Sequence, residues 1–386
     1  MERGELLRLG PALEAFLAEF DRCAIAPTRK LIAAYVRGQL GPLPRKSVMP
    51  MALEAGIPPR TLQELLSLHR WDDDLARETL QRRVRRSLAG RPVEAYLLES
   101  AFVKRGERTP GVHRGLSRAA GKVENRVVAV HLVAASASGL RLLDSELFLP
   151  EEWVSDAARC RKAGIPAGLA YRSRGAVAID LLRRARGHGL EFSALHLGPG
   201  LLTGKELIRS LVDLGLPYAI EADPGIRGWV RPEEGAPACT VEAAVERAAR
   251  MEIVRGTAAG REPWSGAAFL FWLDLGHGMP GPAGVLSVRP PGASSQRTFI
   301  VNPFRPDDVP AVLDRALSGD AVAAEFAGEA RQLGLDHFEV RSFLSLKRHF
   351  ILSALSFALH AEARGSSRPA AAPRGAWAPT RALGAK

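Results

Sequence analysis

The chain is poor in cysteine, in aromatic residues and in long apolar runs. Its three cysteines, Cys23, Cys160 and Cys239, are scattered and odd in number. They cannot build a disulfide framework and match no zinc-ligand spacing, so a reducing compartment is expected and a structural metal is not. No stretch of about 18 residues is apolar without interruption by charge, which excludes a conventional membrane-spanning helix. The opening MERGELLRLG lacks the basic-then-apolar order of a secretory leader, so a cytoplasmic protein is expected. Acidic residues are also in deficit: 42 against 53 Lys and Arg, a formal charge of +11. Such an excess favours a polyanionic partner, nucleic acid first, although a GC-biased, arginine-rich composition yields the same number. What remains is ordinary globular material, 46% hydrophobic over 386 residues, enough for one large domain or two to three smaller ones.

Residues 1–91 read as helical. Leu13, Phe16, Leu17 and Phe20 recur at helical spacing, and further helices fit residues 31–40, 48–55 and 59 onward, broken by Gly/Pro turns. Short helices in a basic context resemble a helix-turn-helix module. From residue 92 the pattern changes. Val93–Leu98, Arg126–Ala135 and Leu140–Phe148 read as three successive strands. Then helix and strand alternate: a helix at Ala176–Arg186, a strand at Phe192–Leu197, a helix at Lys205–Leu214 and a strand at Tyr218–Glu221. That order predicts a mixed α/β sheet over 92–223. Residues 224–310 carry Gly/Pro turns, one helix over Val241–Met251 and strand-like runs at Ala267–Leu273, Gly284–Val288 and Arg297–Val301; they read as an inserted, β-rich subdomain. Residues 311–363 return to helix. The Ala/Pro/Arg-rich segment 364–386 reads as a disordered basic tail. No internal repeat is visible.

Three segments, in order, resemble DDE-superfamily transposases of bacterial insertion sequences, of the branch called the seven-hundred-and-one family. They are YVRGQLGPLPRKSVMPMALEAGIPPRTLQELLSLHRW (35–71), GKVENRVVAVHL with LLDSELFLPEEWVSDAARCRKAGIP (within 121–166), and GLDHFEVRSFLSLKRHFILSALSF (334–357). The resemblance implies an RNase H-like mixed-sheet core behind an N-terminal helical, DNA-binding region, with a β-rich insertion before the last catalytic helix. It implies double-stranded DNA as partner, a nucleoid-associated location and no membrane role, and it leaves a homodimer open.

Family chemistry needs two Mg²⁺ ions, held by three converging carboxylates. The first should open a motif that here reads Leu98-Glu99-Ser100-Ala101-Phe102, putting Leu98 at its place. The second should open a motif that here begins at Gly198, in LHLGPGLLTG. The third, counted back from Phe326, falls at Ala323. The accessory Tyr, Arg and Lys places fall at Ala316, Gly319 and Ala330. Apolar residues cannot hold the metal, so neither a catalytic carboxylate set nor a cofactor is expected. Glu99 is the one residual acid, but neighbouring residues of a strand point to opposite faces. Glu325 lies two helical residues, about 200°, from Ala323, and reads with Glu329 as a solvated pair near Arg331.

The resemblance assigns DNA contacts to Arg45, Lys46, Arg60, Thr61, Gln63 and Arg70 in the helical region. It adds Lys104, Arg105 and Lys122 by the first-acid loop, and Arg341, Lys347, Arg348 and His349 in the late segment. Arg82, Arg83, Arg85 and Arg86 read equally as DNA-facing or as a solvated surface. Two alternatives stand beside this. One is an active nuclease with displaced acids, such as Glu99, Asp144 and Glu325. The other is a core turned to small-molecule chemistry, with Gly198, Pro199 and Gly200 lining a pocket beside His196.

Overall fold

The computed structural model describes residues 10–88, 91–117, 121–136, 139–198, 204–231, 237–249, 251–255, 262–276, 282–304 and 309–365. The described residues begin with five α-helices: α1 (Gly10–Ala18), α2 (Ala26–Leu40), α3 (Val48–Glu54), α4 (Pro59–Ser67) and α5 (Asp73–Ser87). Prolines occupy the first turns of α2 and α4, where a missing N–H costs nothing. Asp72 caps α5 by accepting from the Leu75 N–H at 2.8 Å. α3 and α4, joined by residues 55–58, give the expected helix-turn-helix-like pair.

The core sheet is built from β1 (Val93–Val103), β2 (His113–Ser117), β3 (Lys122–Ser136), β4 (Gly139–Leu147), β5 (Phe192–Leu197) and β6 (Tyr218–Glu221). β3 lies antiparallel to β1, β2 and β4. β5 joins β1 in parallel, and β6 joins β5 in parallel. Three antiparallel strands followed by two parallel ones, in the order β4-β3-β1-β5-β6, form an RNase H-like mixed sheet. The return from β4 to β5 runs through α6 (Glu151–Val154), α7 (Ala157–Ala163) and α8 (Arg174–Gly187); α9 (Lys205–Asp213) links β5 to β6. β2 was not expected: Arg114 and Gly115 interrupt any apolar alternation, and pairing with β3 makes it a strand.

The expected β-rich insertion continues the core sheet. It comprises β7 (Arg227–Trp229), β8 (Cys239–Thr240), α10 (Val241–Arg247), β9 (Met251–Arg255), β10 (Glu262–Leu273), β11 (Ala283–Arg289) and β12 (Arg297–Asn302). It is not a separate lobe. β12 pairs antiparallel with β6 and β11 with β12, so the core sheet continues to twelve strands. An exposed β6 edge would invite pairing, and the chain supplies its own partner.

Two long helices close the fold, α11 (Val309–Leu333) and α12 (Phe343–Gly365). The first half of α11, from Val309 to Leu317, packs on the extension with Trp264, Leu286 and Phe299. Its second half packs on the core through Val322, Phe326 and Leu333. α12 crosses β4 and the N-terminal helices together. One hydrophobic core therefore runs from Phe16 through β1 to Phe357, and the N-terminal helices are part of it. Arg364 belongs to α12 and pairs with Glu329; residues 366–386 lie outside the described residues.

Candidate active-site cleft

Strand pairing sorts the sheet into two faces. Leu98 lies opposite His131, which lies opposite Ser145; Glu99 lies opposite Val130, which lies opposite Glu146. Cross-strand partners share a face and neighbours alternate. Leu98, His131 and Ser145 thus face α11 and α12, whereas Glu99, Asp144 and Glu146 face α8.

On the α11 side the three places assigned to metal-binding acids meet. Gly198 ends β5, its N–H donating to the Leu97 carbonyl at 2.9 Å. A Cβ added at Gly198 would lie 2.6 Å from Leu98 Cδ2 and 3.7 Å from the Ala323 Cβ. Leu98 is buried, and α11 presses so close here that a Cβ at Gly319 would meet the Leu197 carbonyl at 2.6 Å. The surroundings are equally apolar. Phe326 packs on the His131 ring at 5.1 Å, and Phe102 packs on Phe338 at 5.1 Å. His131 bonds Ser145 Oγ through Nδ1 at 2.8 Å, and burial pushes its pKa down to about 3.

Along the same face sits a polar layer that sequence reading missed. Tyr96 stacks on His196 at 4.7 Å and donates from its hydroxyl to Glu94 at 2.7 Å. Ser318 of α11 lies 3.3 Å from both Tyr96 and His196 Nδ1. His196 is 1% exposed, and burial lowers its pKa to about 4. It is buried against Tyr96 and Ser318; Pro199 and Gly200 lie outside the described residues.

Two of the candidate displaced acids, Glu99 and Asp144, lie on the face of the sheet opposite this cleft. Glu99 accepts two bonds from Arg174 Nη1, at 2.7 and 2.9 Å, on the opposite face. Asp144, also on that face, is fully buried between Arg77 at 3.0 Å and Arg184 at 3.3 Å. Burial pushes its carboxyl up, against the pull of the two guanidiniums. Glu329, expected to be solvated beside Glu325, is instead buried against Arg364. Among the described residues no group of three or more His, Cys, Asp or Glu could hold a metal. Mg²⁺ requires hard oxygen ligands, and the Leu98, Gly198 and Ala323 side chains supply none, so this cleft does not fit the ion used by the wider superfamily.

The residues assigned to DNA divide sharply. Lys46 is buried, its backbone N–H donating to His337 Nδ1 at 2.9 Å and its ammonium to the Gln39 carbonyl; burial lowers its pKa to about 8. Arg348 donates to the carbonyls of His69 at 2.8 Å, Trp71 at 3.3 Å and Leu65 at 3.4 Å, tying the end of α4 to α12. His349 is buried between the Tyr35 hydroxyl at 2.8 Å and the Leu335 carbonyl at 3.0 Å. A carbonyl only accepts, so Nε2 carries the proton and Nδ1 accepts from Tyr35. Burial holds its pKa near 4. These three cannot face DNA; the shared core absorbs them. Lys104 is spent on the Phe338 carbonyl at 2.9 Å and the Phe338 ring, and Lys347 pairs with Asp73 at 2.9 Å and Asp74 at 3.1 Å. Arg45 pairs with Glu339, and Arg60 with Glu64, at the surface. Gln63, Arg70, Arg105, Lys122 and Arg341 are exposed, and Thr61 is half-buried. The arginine run on α5 is largely neutralised: Arg82 by Glu78, Arg83 by Glu19 and Glu362, Arg86 by Glu19.

This topology defines an RNase H-like scaffold. The sequence agrees: residues 16–228 match the family model described as DDE superfamily endonuclease, and the chain belongs to that family. It is similar to a protein of Microchaete diplosiphon described as "Probable transposase for insertion sequence element IS701", with 26% identity over 186 residues. The alignment covers 47% of this chain and 46% of the relative, so the chain spans about half the length of that curated protein. Among the described residues no helix is long and apolar enough to cross a membrane.

Proposed function

We propose that this chain is a transposase-like protein that associates with double-stranded DNA and has lost the carboxylates needed to cut it. The observation that carries the reading is the meeting of Leu98, Gly198 and Ala323 at one point on the α11 face. The convergence of three positions picked by motif spacing supports the matching of the motifs. At that point the side chains are isobutyl, hydrogen and methyl. None coordinates a hard cation, polarises a phosphate or accepts a proton from water. The net charge of +11 supplies the long-range attraction that non-specific DNA binding requires, independently of the metal site.

The test has two arms. Gel-shift titrations on a duplex at rising salt should give binding whose logarithm falls linearly with log[salt]. Incubation of the same duplex with Mg²⁺ or Mn²⁺ should leave it intact. Metal-dependent nicking abolished by Glu99→Gln would overturn the loss of catalysis, and failure to bind any duplex would overturn the DNA association.

A further inference from the structure

A cleft of about 750 Å³ opens beyond the C-terminal end of β1, away from the Leu98 cleft. Its walls are the β1–β2 turn, β2, the α6–α7 pair and the loop before α12. Arg108, Arg114, Arg159, Lys162 and Arg341 all line it. We infer that this cleft seats the phosphate backbone of DNA.

The balance of charge in the lining makes the cluster informative. Several arginines elsewhere are matched to acids: Arg29 to Asp21, Arg83 to Glu19 and Glu362, Arg172 to Glu146 and Asp180, Arg297 to Glu221 and Asp320. In this concavity four cations, Arg108, Arg114, Lys162 and Arg341, are exposed and make no ion pair with an acid among the described residues. The two acids in the lining, Glu107 and Glu152, leave it with an excess of positive charge. Like charges gathered in a concave, partly desolvated site repel one another unless an anion joins them.

Arg159 shows that the cleft is built and not incidental. Its guanidinium lies 3.8 Å over the Trp153 ring. Trp153 is itself buried and anchored by its indole N–H to the Val112 carbonyl at 2.7 Å. Arg159 also reaches the Val112 carbonyl at 3.4 Å and the Glu107 carbonyl at 3.5 Å. A guanidinium fixed this way loses little entropy on meeting a phosphate. It also covers the aromatic face in the cleft, so Trp153 is not free to stack bases. The chemistry offered is therefore charge and N–H donors, which read the backbone and not the sequence.

The inference rests on the proposed DNA association and adds the surface that carries it. The test uses the full chain with Arg114→Ala, Lys162→Ala and Arg341→Ala combined; Arg159 is left in place because it packs on Trp153. A control removes the same charge at the exposed Arg183, Arg247 and Arg289. Each lost phosphate contact lowers the salt slope by about 0.9, so the cleft variant should lose roughly 2–3 from the slope. Affinity should fall about tenfold or more, equally for unrelated sequences. The control should keep most of both, and unchanged thermal midpoints will show that folding is not involved. If the wild type binds and the cleft variant behaves like the control, the cleft assignment is wrong while DNA association stands. If the wild type binds no duplex, both fail.

Discussion

Replacing Gly198 by Ala should destabilise the protein only while Leu98 remains. The added methyl would sit 2.6 Å from Leu98 Cδ2, about 1 Å inside the ordinary contact distance for two carbons. Relief is not available nearby. Leu98 is 2% exposed, its strand is held between β3 and β5, and Gly198 is pinned to the Leu97 carbonyl. Overpacking of this kind costs about 1–3 kcal/mol. Leu98→Ala alone should cost about 2–5 kcal/mol through lost burial and the cavity left behind. In the double variant the clashing methyl is gone and the new one fills part of the cavity, so the total should fall short of the sum by about 1–3 kcal/mol. Urea denaturation of the four proteins, with constant m values, measures this directly. Additivity within about 0.5 kcal/mol would show that the two side chains do not meet, and the convergence on which the functional reading depends would fall with it.

Other outcomes follow from the same structure. His131, His196 and His349 have pKa values held at about 3, 4 and 4 by burial, below the unfolded value of about 6.5. The unfolded chain therefore binds more protons as pH falls below about 6.5, and stability should drop by about 1.4 kcal/mol per pH unit for each histidine. Denaturation midpoints at pH 7 and pH 5 will reveal this, and equal midpoints would refute it. Arg348→Ala should cost about 2–3 kcal/mol by orphaning the carbonyls of Leu65, His69 and Trp71, and Arg348→Lys should not restore it. The folded variant should keep wild-type DNA affinity in a gel shift; a loss of affinity without a loss of stability would instead make Arg348 a DNA contact. Finally, millimolar Mg²⁺ should leave the thermal midpoint unchanged, because only a ligand that binds the native state raises it; a concentration-dependent rise would reveal a metal site.

Much of the architecture was legible in the residues because it rests on local pattern. The β-branched run at 126–135 and the short apolar run at 192–197 announce buried strands. Helical spacing did the same for most of α2, whose first turn runs through Pro27, and spacing with proline placement did so for α4. β2 was not legible, because His113–Ser117 has no pattern of its own and becomes a strand by pairing with β3. The motif spacing by itself assigned Leu98, Gly198 and Ala323 to the three acid places, since identity and order along a chain are properties of sequence. Only tertiary structure decided which of the remaining charges are usable. Strand register sent Glu99 and Asp144 to the face opposite Leu98. Packing of α12 on the N-terminal helices turned Lys46, Arg348 and His349 into internal hydrogen-bonding groups. A charge is surface or core according to what lies across from it in space, and that neighbour is often hundreds of residues away along the chain.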